Sequence, residues 1–564
     1  MKKTMRVLVS ILVVACTLLL FMFTGCSNDG KENTPGSTDA SKTSNATSAA
    51  SSESYLNEES ELPIVKSPIT LKVVTIKIPG GGATENLWFW KWAEKNTNIK
   101  FDVTQVESSA WNERKNIMFA AQELPDFFLN PDFTADEILR FGQIEKQLMP
   151  MNNLIEKYAP NIKKAFEKDP ETKALVTCPD GNIYNLPTMG IEVYNTARAF
   201  INGVWLQNLS LEAPETLDDL YNVLLAFKEK DPNKNGQADE IPFSGSWKEG
   251  YPERIVVLSA LGFNSYERMD LSVKDNKVVL PEADPLFGEY LKFMNKLFSE
   301  GLLDKDIFTQ TQVQARAKTA QNIVGLSLEG STQLISNDKW KDYAGFKPVT
   351  SQWNSGKIWP GAVTADLSRF MIASSSKYPE AAIRFADMYF NDKNNILLWY
   401  GPQKDSEDAL GFEGWYVENN VIQYKLPPEV KSGWDYRIGY INPINGYKLG
   451  YNVLLNDFER LYGVKVGFDE ANTYFRKEMD EKVIPYSKSI FPKVYLQPDQ
   501  LEKRNTLFTT MKDYCEMMEA KFITGAEPLS NLDKYFSQLK KMGAEEYVKI
   551  YQEAYDAYLS NLKK

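Results

Sequence analysis

The sequence predicts a mixed α/β protein of at least two domains, and three observations carry that prediction. The first is a strand-turn-helix unit. Ile69-Thr70-Leu71-Lys72-Val73-Val74-Thr75-Ile76 alternates apolar with polar or β-branched residues, and Gly80-Gly81-Gly82 then precedes a helix-like stretch through Trp88, Trp92 and Ala93. The second is the recurrence of helical signals. Thr216 stands where a cap would precede Leu217–Phe227, Glu289–Phe298 ends at Gly301, and Pro379 suits the first turn of a helix reaching Tyr389. The third is length: of 564 residues, about 500 follow the N-terminal leader and tether described next, too many for one hydrophobic core. Repeats at a fixed period are absent, which argues against a solenoid.

Lys2, Lys3 and Arg6 lead into an uncharged apolar run from Val7 to Phe23, the layout of a signal peptide and shorter than a comfortable bilayer span. The run ends in Phe23-Thr24-Gly25-Cys26. This resembles the bacterial lipobox, in which a small pair before Cys lets a lipoprotein signal peptidase cut ahead of a diacylated cysteine; Leu is usual where Phe23 stands. Residues 1–25 are therefore expected to be removed and Cys26 to carry lipid. From Ser27 to about Leu62 the chain is rich in Ser, Thr, Asn, Ala, Glu and Lys with almost no large apolar residues, too little to offset its ordering entropy. It is predicted to be a flexible tether to the membrane, on the outer face of a Gram-positive cell rather than in a periplasm.

The formal charge of −11 becomes more negative once the three basic side chains of the leader are gone, which argues against nucleic acid and anionic membrane surfaces as partners. Histidine is absent. That removes Ser-His-Asp and Cys-His catalysis, histidine zinc sites and histidine pH switching, while carboxylate-pair chemistry survives. Of the four Cys, Cys16 leaves with the leader and Cys26 is lipidated, so Cys178 and Cys515 remain, preferred here as two isolated thiols. Gly80-Gly81-Gly82 lacks the context of a phosphate-binding loop and reads as a turn. Tyr547, Tyr551, Ala554, Tyr555 and Tyr558 fall at helical spacing within Ala544–Leu559 and are assigned to packing.

Several segments then bring a family to mind by their order. Asn112-Glu113-Arg114-Lys115-Asn116-Ile117-Met118-Phe119-Ala120-Ala121-Gln122-Glu123-Leu124-Pro125-Asp126 is similar to a segment of family 1 extracellular solute-binding proteins. Leu154–Ile162, Pro179–Pro187, Glu300–Asp304 and Lys521–Gly525 continue the likeness, which spans about residues 69 to 558 and matches the large lipoprotein branch with oligosaccharide-binding members. The resemblance implies a two-lobed α/β fold of the periplasmic-binding-protein type, with a hinge and a ligand cleft between the lobes. It places residues 63–195 and about 372–480 in the first lobe, and 196–371 and about 481–564 in the second. The crossings fall near Asn185 to Arg198 and Asp366 to Ser374. The implied partners are a carbohydrate-like solute and the permease subunits of an ABC importer, with the chain itself a monomer.

Asp231-Pro232-Asn233-Lys234-Asn235-Gly236-Gln237-Ala238-Asp239-Glu240 sets oxygen donors at positions one, three, five and nine, with Gly236 at the sharp turn of an EF-hand-like loop. Pro242 replaces the bidentate Glu at position twelve, and Glu240 supplies that carboxylate in relatives with this loop. The expected structural Ca²⁺ site uses side chains of Asp231, Asn233, Asn235, Asp239 and Glu240 and the carbonyl of Gln237.

Sugars need flat apolar faces and paired polar groups. Trp247, Trp353, Trp359 and Trp434 lie in loops poorly placed for a regular core, and Asp126, Asn130, Glu329, Asp435 and Arg437 are the polar candidates. Arg254 and Arg437 would favour an acidic sugar if either faces the cleft. A transport receptor that binds without turnover is the favoured class. Its competitors are a secreted carboxylate-pair glycosidase and a surface adhesion or sensor module; within the favoured class, a peptide or another polar metabolite could replace the saccharide.

Overall fold

The alternation at Ile69–Ile76 forms a strand, Ile69–Lys77, with Leu71 and Val73 buried and Thr70 and Lys72 exposed. Gly80, at φ +83°, turns the chain, and a helix over Trp88–Thr97 buries Trp88, Trp92 and Ala93. The computed structural model describes residues 55–58, 62–190, 198–247, 253–330, 339–361, 365–443, 448–451 and 455–563. The leader, Cys26 and most of the expected tether lie outside the described residues. The chain divides into Met1–Ser52 and Glu53–Lys564, and every described element belongs to the second unit.

Its principal strands are β1 (Ile69–Lys77), β2 (Ile99–Glu107), β3 (Phe127–Leu129), β4 (Leu186–Met189), β5 (Arg198–Asn202), β6 (Ile241–Phe243), β7 (Val324–Glu329), β8 (Tyr343–Gly345), β9 (Trp359–Gly361), β10 (Ala365–Ile372), β11 (Gly450–Tyr451) and β12 (Ser487–Ser489). A six-stranded sheet has the order β11-β4-β10-β3-β1-β2 and a four-stranded sheet the order β8-β5-β7-β6. In the first sheet only β10 runs against its neighbours. In the second, β5 is antiparallel to β7 and β8, while β6 runs parallel to β7. β9 and β12 pair in parallel as a separate ribbon.

Each sheet has its own core. Phe127 and Phe128 alternate to opposite faces of β3, the former against Phe101, Phe370 and Phe385, the latter against Trp111, Phe119 and Phe133. The second core gathers Trp205, Leu224, Phe227, Tyr290 and Leu326. Its helix Leu217–Glu229 begins at Thr216 in a capping box with Asp219, which satisfies backbone donors the helix leaves open. Among the described residues no helix is long and apolar enough to cross a membrane.

The lobe boundaries differ from the sequence expectation in three places. β10 lies between β3 and β4, so the chain is back in the first sheet by Ala365 rather than near 372. The helix Glu470–Lys482, expected in the first lobe, buries Phe475 and Met479 in the second core. The final helix, Ala544–Asn561, serves both cores, with Ala544 and Tyr547 in the second and Ile550, Ala554 and Tyr558 in the first. Helical periodicity identifies a buried stripe but not the core that buries it. Cys178 and Cys515 are free thiols, one in each core.

Candidate ligand cleft

The chain leaves the first sheet at Met189 and enters the second at Arg198, then leaves the β9 ribbon at Gly361 and re-enters the first sheet at Ala365. These crossings fix which strand ends face each other. β1 and β3 run with β4, so Lys77 and Leu129 end on the side where Met189 does. Arg198 pairs with Glu329, and β6 runs with β7, so Glu329 and Phe243 mark the facing end of the second sheet. Loops after parallel strands are where α/β folds place ligands.

On the first lobe, Asn130 follows β3 at φ +49°. Its Nδ2 donates to the Pro443 carbonyl (3.0 Å) and its Oδ1 accepts from the Leu449 amide (3.0 Å). The segment that carries Arg437 is thereby tied over the end of β3. The Arg437 guanidinium lies 5.2 Å from the Trp399 ring centroid, 4.9 Å from Tyr400 and 5.4 Å from Trp434, a cation held against aromatic faces. Its Nη1 is buried without a hydrogen-bond partner. Trp434 keeps 36 % of its surface exposed. The Lys448 ammonium lies 5.7 Å from the Trp399 ring centroid and donates to the Tyr451 carbonyl at 2.8 Å and to Asn395 Oδ1. Burial lowers its pKa to about 7.

On the second lobe, Glu329 accepts from Arg316 Nε and Nη2 (2.8 Å each) and from Gln312 Nε2 (2.5 Å), so both of its carboxylate oxygens are engaged. Trp247 is packed rather than open: Arg268 sits 3.6 Å from its ring centroid, and Phe308 lies 4.5 Å away. Arg268 in turn bonds Glu519, which joins Arg254, Glu282 and Tyr290 in a buried network.

Of the residues expected at the cleft, Arg437 and Trp434 come together, and Asn130 holds the backbone of Pro443 and Leu449 further along the same segment. Asp126 does not join them: it opens β3 at the opposite end, accepting from Lys72 N and Ser376 Oγ. Trp359 is 3 % exposed in the second core. Asp435 accepts from Ser432 Oγ in a helix cap. Trp353 is exposed and lines a cavity of about 540 Å³ with Leu175 and Leu367 of the first core and Leu261 of the second; Asn130 and Arg437 are not among its lining residues. Arg254 lies inside the Glu282–Glu519 network, so it has no part in an acidic-sugar site. Trp399 and Tyr400, which pack on Arg437, and Lys448, beside Trp399, were not singled out from the sequence; the signal that existed was an aromatic pair at a helix end before Gly401.

The Asp231–Glu240 loop has the turns that its sequence implies. Asp231 accepts from Asn235 N (3.1 Å) and Gly236 N (2.9 Å), Asn233 Oδ1 from Asn235 N (3.0 Å), and Asn235 Oδ1 from Gln237 N (2.7 Å), with Gly236 at φ +77°. Asn233 and Asn235 turn their amide nitrogens to Asp239. Burial, then Asp239 and Asp231, raise the Glu240 pKa, and its Oε1 is buried without a hydrogen-bond partner. Among the described residues no three carboxylates or thiolates converge as a finished ion cage. The donor types still fit a hard cation: three carboxylates crowd one loop, and the buried oxygen of Glu240 lacks a positive partner.

A family model described as bacterial extracellular solute-binding protein matches residues 77–396. The chain belongs to this family. Among the chain's relatives, the fructooligosaccharide ABC transporter substrate-binding protein FusA of Streptococcus pneumoniae serotype 4 is 27 % identical over 528 residues, covering 91 % of this chain and 94 % of FusA. The S. pneumoniae FusA structure in complex with kestose aligns with a TM-score of 0.68 at 26 % identity, over 87 % of this chain and 100 % of that one. An EF-hand mutant of FusA in complex with fructo-nystose aligns equally well, at TM-score 0.68, 26 % identity and the same coverage. A human-milk-oligosaccharide-binding protein of Bifidobacterium longum infantis shares the two-lobed fold at TM-score 0.72 and 23 % identity, covering 87 % and 99 % of the two chains.

Proposed function

We propose that this solute-binding protein captures an oligosaccharide between its lobes and hands it, intact, to the permease of an ABC importer. The observation that carries the proposal is likeness along 91 % of the chain to a fructooligosaccharide-binding relative. Two independently cored lobes with facing strand ends support it, because closure on a solute would give a permease a shape distinct from the ligand-free form. Cys26, lipidated after removal of residues 1–25, anchors the chain outside the membrane as a monomer on its tether. The chain binds without turnover and is no enzyme.

Calcium in the Asp231–Glu240 loop braces the entry to β6. Asp231, Asn233, Asn235, Asp239 and Glu240 would hold it with the carbonyl of Gln237, and the ion would supply the charge that the buried Glu240 oxygen lacks. For a site of roughly 0.1 to 1 mM affinity, about 10 mM calcium should stabilise chelator-stripped protein by roughly 1.4 to 2.7 kcal/mol. Asp231→Ala should abolish that gain. A melting temperature indifferent to calcium in the parent chain would sink the assignment.

The solute class is tested by thermal shift against mono- and oligosaccharides and peptides, each with and without calcium. The proposal expects a saturable rise with at least one oligosaccharide. A rise with peptides alone would remove the carbohydrate part and keep the receptor.

A further inference from the structure

The turn that carries Trp353 is braced on every side while the ring it carries stays open. Ser351 N donates to the Asn354 carbonyl (3.0 Å) and Asn354 N to the Ser351 carbonyl (3.2 Å), which leaves Gln352 and Trp353 at the tip. Ser351 Oγ donates to the Ala260 carbonyl (2.7 Å) and accepts from Trp353 N (3.2 Å). Asn354 Nδ2 donates to the carbonyls of Gly356 (2.7 Å) and Ser259 (3.3 Å). Just before the turn, Thr350 N donates to the Glu215 carbonyl and the Thr350 carbonyl accepts from Leu217 N, 2.9 Å each, which fastens it to the start of the helix Leu217–Glu229. The indole at the tip nevertheless keeps 42 % of its surface exposed. Trp434 has Trp399 and Arg437 beside it, whereas among the described residues no aromatic ring or cation lies against Trp353.

Two cavities meet at this ring. One, of about 550 Å³, lies between the turn and the helix Phe287–Ser299, where Glu289 and Phe293 line it opposite Gln352 and Trp353. The other is the cavity of about 540 Å³ between Leu261 and Leu367. Both volumes are in the range that small ligands fill, and Asn130, Trp247, Glu329 and Arg437 line neither. Charges around the first cavity cancel. Asp218 and Glu289 stand against Lys292 and Lys296; Lys292 pairs with Glu289 at 2.7 Å, and Lys296 lies 3.3 Å from the Tyr221 ring centroid. In the second, Glu171 and Asp275 stand against Lys274 and Lys488, and Lys493 is met by Asp366 at 3.3 Å. A site for an ion would concentrate one sign of charge; balanced charge beside an open indole suits a neutral, hydroxylated ligand.

We infer that Trp353 is the stacking platform of a second saccharide site, outside the cleft of Asn130 and Arg437, which takes a neutral oligosaccharide. The class of ligand rests on the oligosaccharide-receptor proposal. One sugar ring packs its C–H face on the indole, and the cavities on either side receive the units that flank it. Because the turn is already fixed, binding orders no loop. A single platform makes a weak site, half-filled at roughly 1 mM, so micromolar saccharide occupies the cleft alone.

The test is fluorine NMR of the chain labelled with 5-fluorotryptophan, the Trp353 resonance being identified by its absence from Trp353→Phe. Nystose, maltohexaose and xylohexaose are the probes, each raised to about 10 mM, with trigalacturonate and the tripeptide Ala-Ala-Ala as charged and peptide controls. The Trp353 resonance should move saturably with at least one neutral probe and less with either control. Trp353→Ala should leave the calorimetric affinity of the tight site within about twofold, as expected for separate sites. A Trp353 resonance that no neutral probe moves, while tight binding is seen elsewhere, overturns the inference and leaves the receptor proposal standing. An equal or larger movement with trigalacturonate or the tripeptide overturns the neutral-saccharide class. Loss of tight binding by about tenfold or more in Trp353→Ala would place the ring in the cleft and overturn the second site. Binding of no saccharide anywhere overturns both.

Discussion

Glu253 lies buried beneath Gly245, and loss of solvation raises its pKa to about 7 from an ordinary 4.5. A carboxyl with a raised folded pKa holds its proton more tightly in the folded chain. Its contribution to stability is full below about pH 4.5 and is lost as pH rises to 7. Glu253→Gln cannot ionise, so its melting temperature relative to the parent should climb between pH 5 and pH 8; a constant difference would contradict the burial. Lys448 has the opposite sign. Burial lowers it to about 7 from 10.5, so the folded chain is penalised for the charged form, and stability from this group rises as pH moves from 7 toward 10.5. Lys448→Met should stabilise the ligand-free chain at neutral pH. At this scale the sequence was partly legible. Asn130 at the end of a strand and Trp434 beside Arg437 could be read as candidates because both are local patterns. Asp126 misled because a carboxylate four residues from Asn130 lies at the other end of the same short strand, and Trp359 because an apolar loop residue can belong to a core formed by distant segments.

The loop Ser244–Trp247 and the helix Leu501–Thr524 carry the element-scale predictions. A Cβ on Gly245 would stand 1.5 Å from Glu253 Oε1, so Gly245→Ala should cost about 1 to 3 kcal/mol by overpacking, read by urea unfolding. The helix brings Glu519 to Arg268 at 2.8 Å, Arg254 at 3.7 Å and Tyr290 Oη at 2.6 Å, and the two arginines hold its carboxylate below the usual range despite burial. Glu519→Gln leaves buried guanidinium charge uncompensated and should cost about 3 to 5 kcal/mol; a change under 1 kcal/mol would show the network to be solvated. Secondary structure at this scale was legible wherever the signal was local: Thr216 capped the predicted helix, Pro379 opened one, and the tyrosines of Ala544–Asn561 packed as expected. The pairing of that last helix with both cores was not, since a 3.6-residue period carries no information on tertiary partners.

For the whole molecule, length and mixed periodicity announced more than one α/β core, and the order of short segments identified the family; the structure supplied which strand ends face each other. β10 lies in the first sheet, so the chain is back in that sheet by Ala365. The Asp231–Glu240 loop precedes β6 of the second sheet, so calcium bound there as proposed should alter stability far more than saccharide affinity. The central claim is reversible capture of an intact oligosaccharide. Its most direct test is calorimetric titration of the chain, in buffer containing calcium, with the oligosaccharide that gives the largest thermal shift, with chromatography of the sugar afterwards. The account predicts one saccharide bound per chain and the sugar recovered at its original length. Shortened products, or no saturable heat with any saccharide, would contradict it.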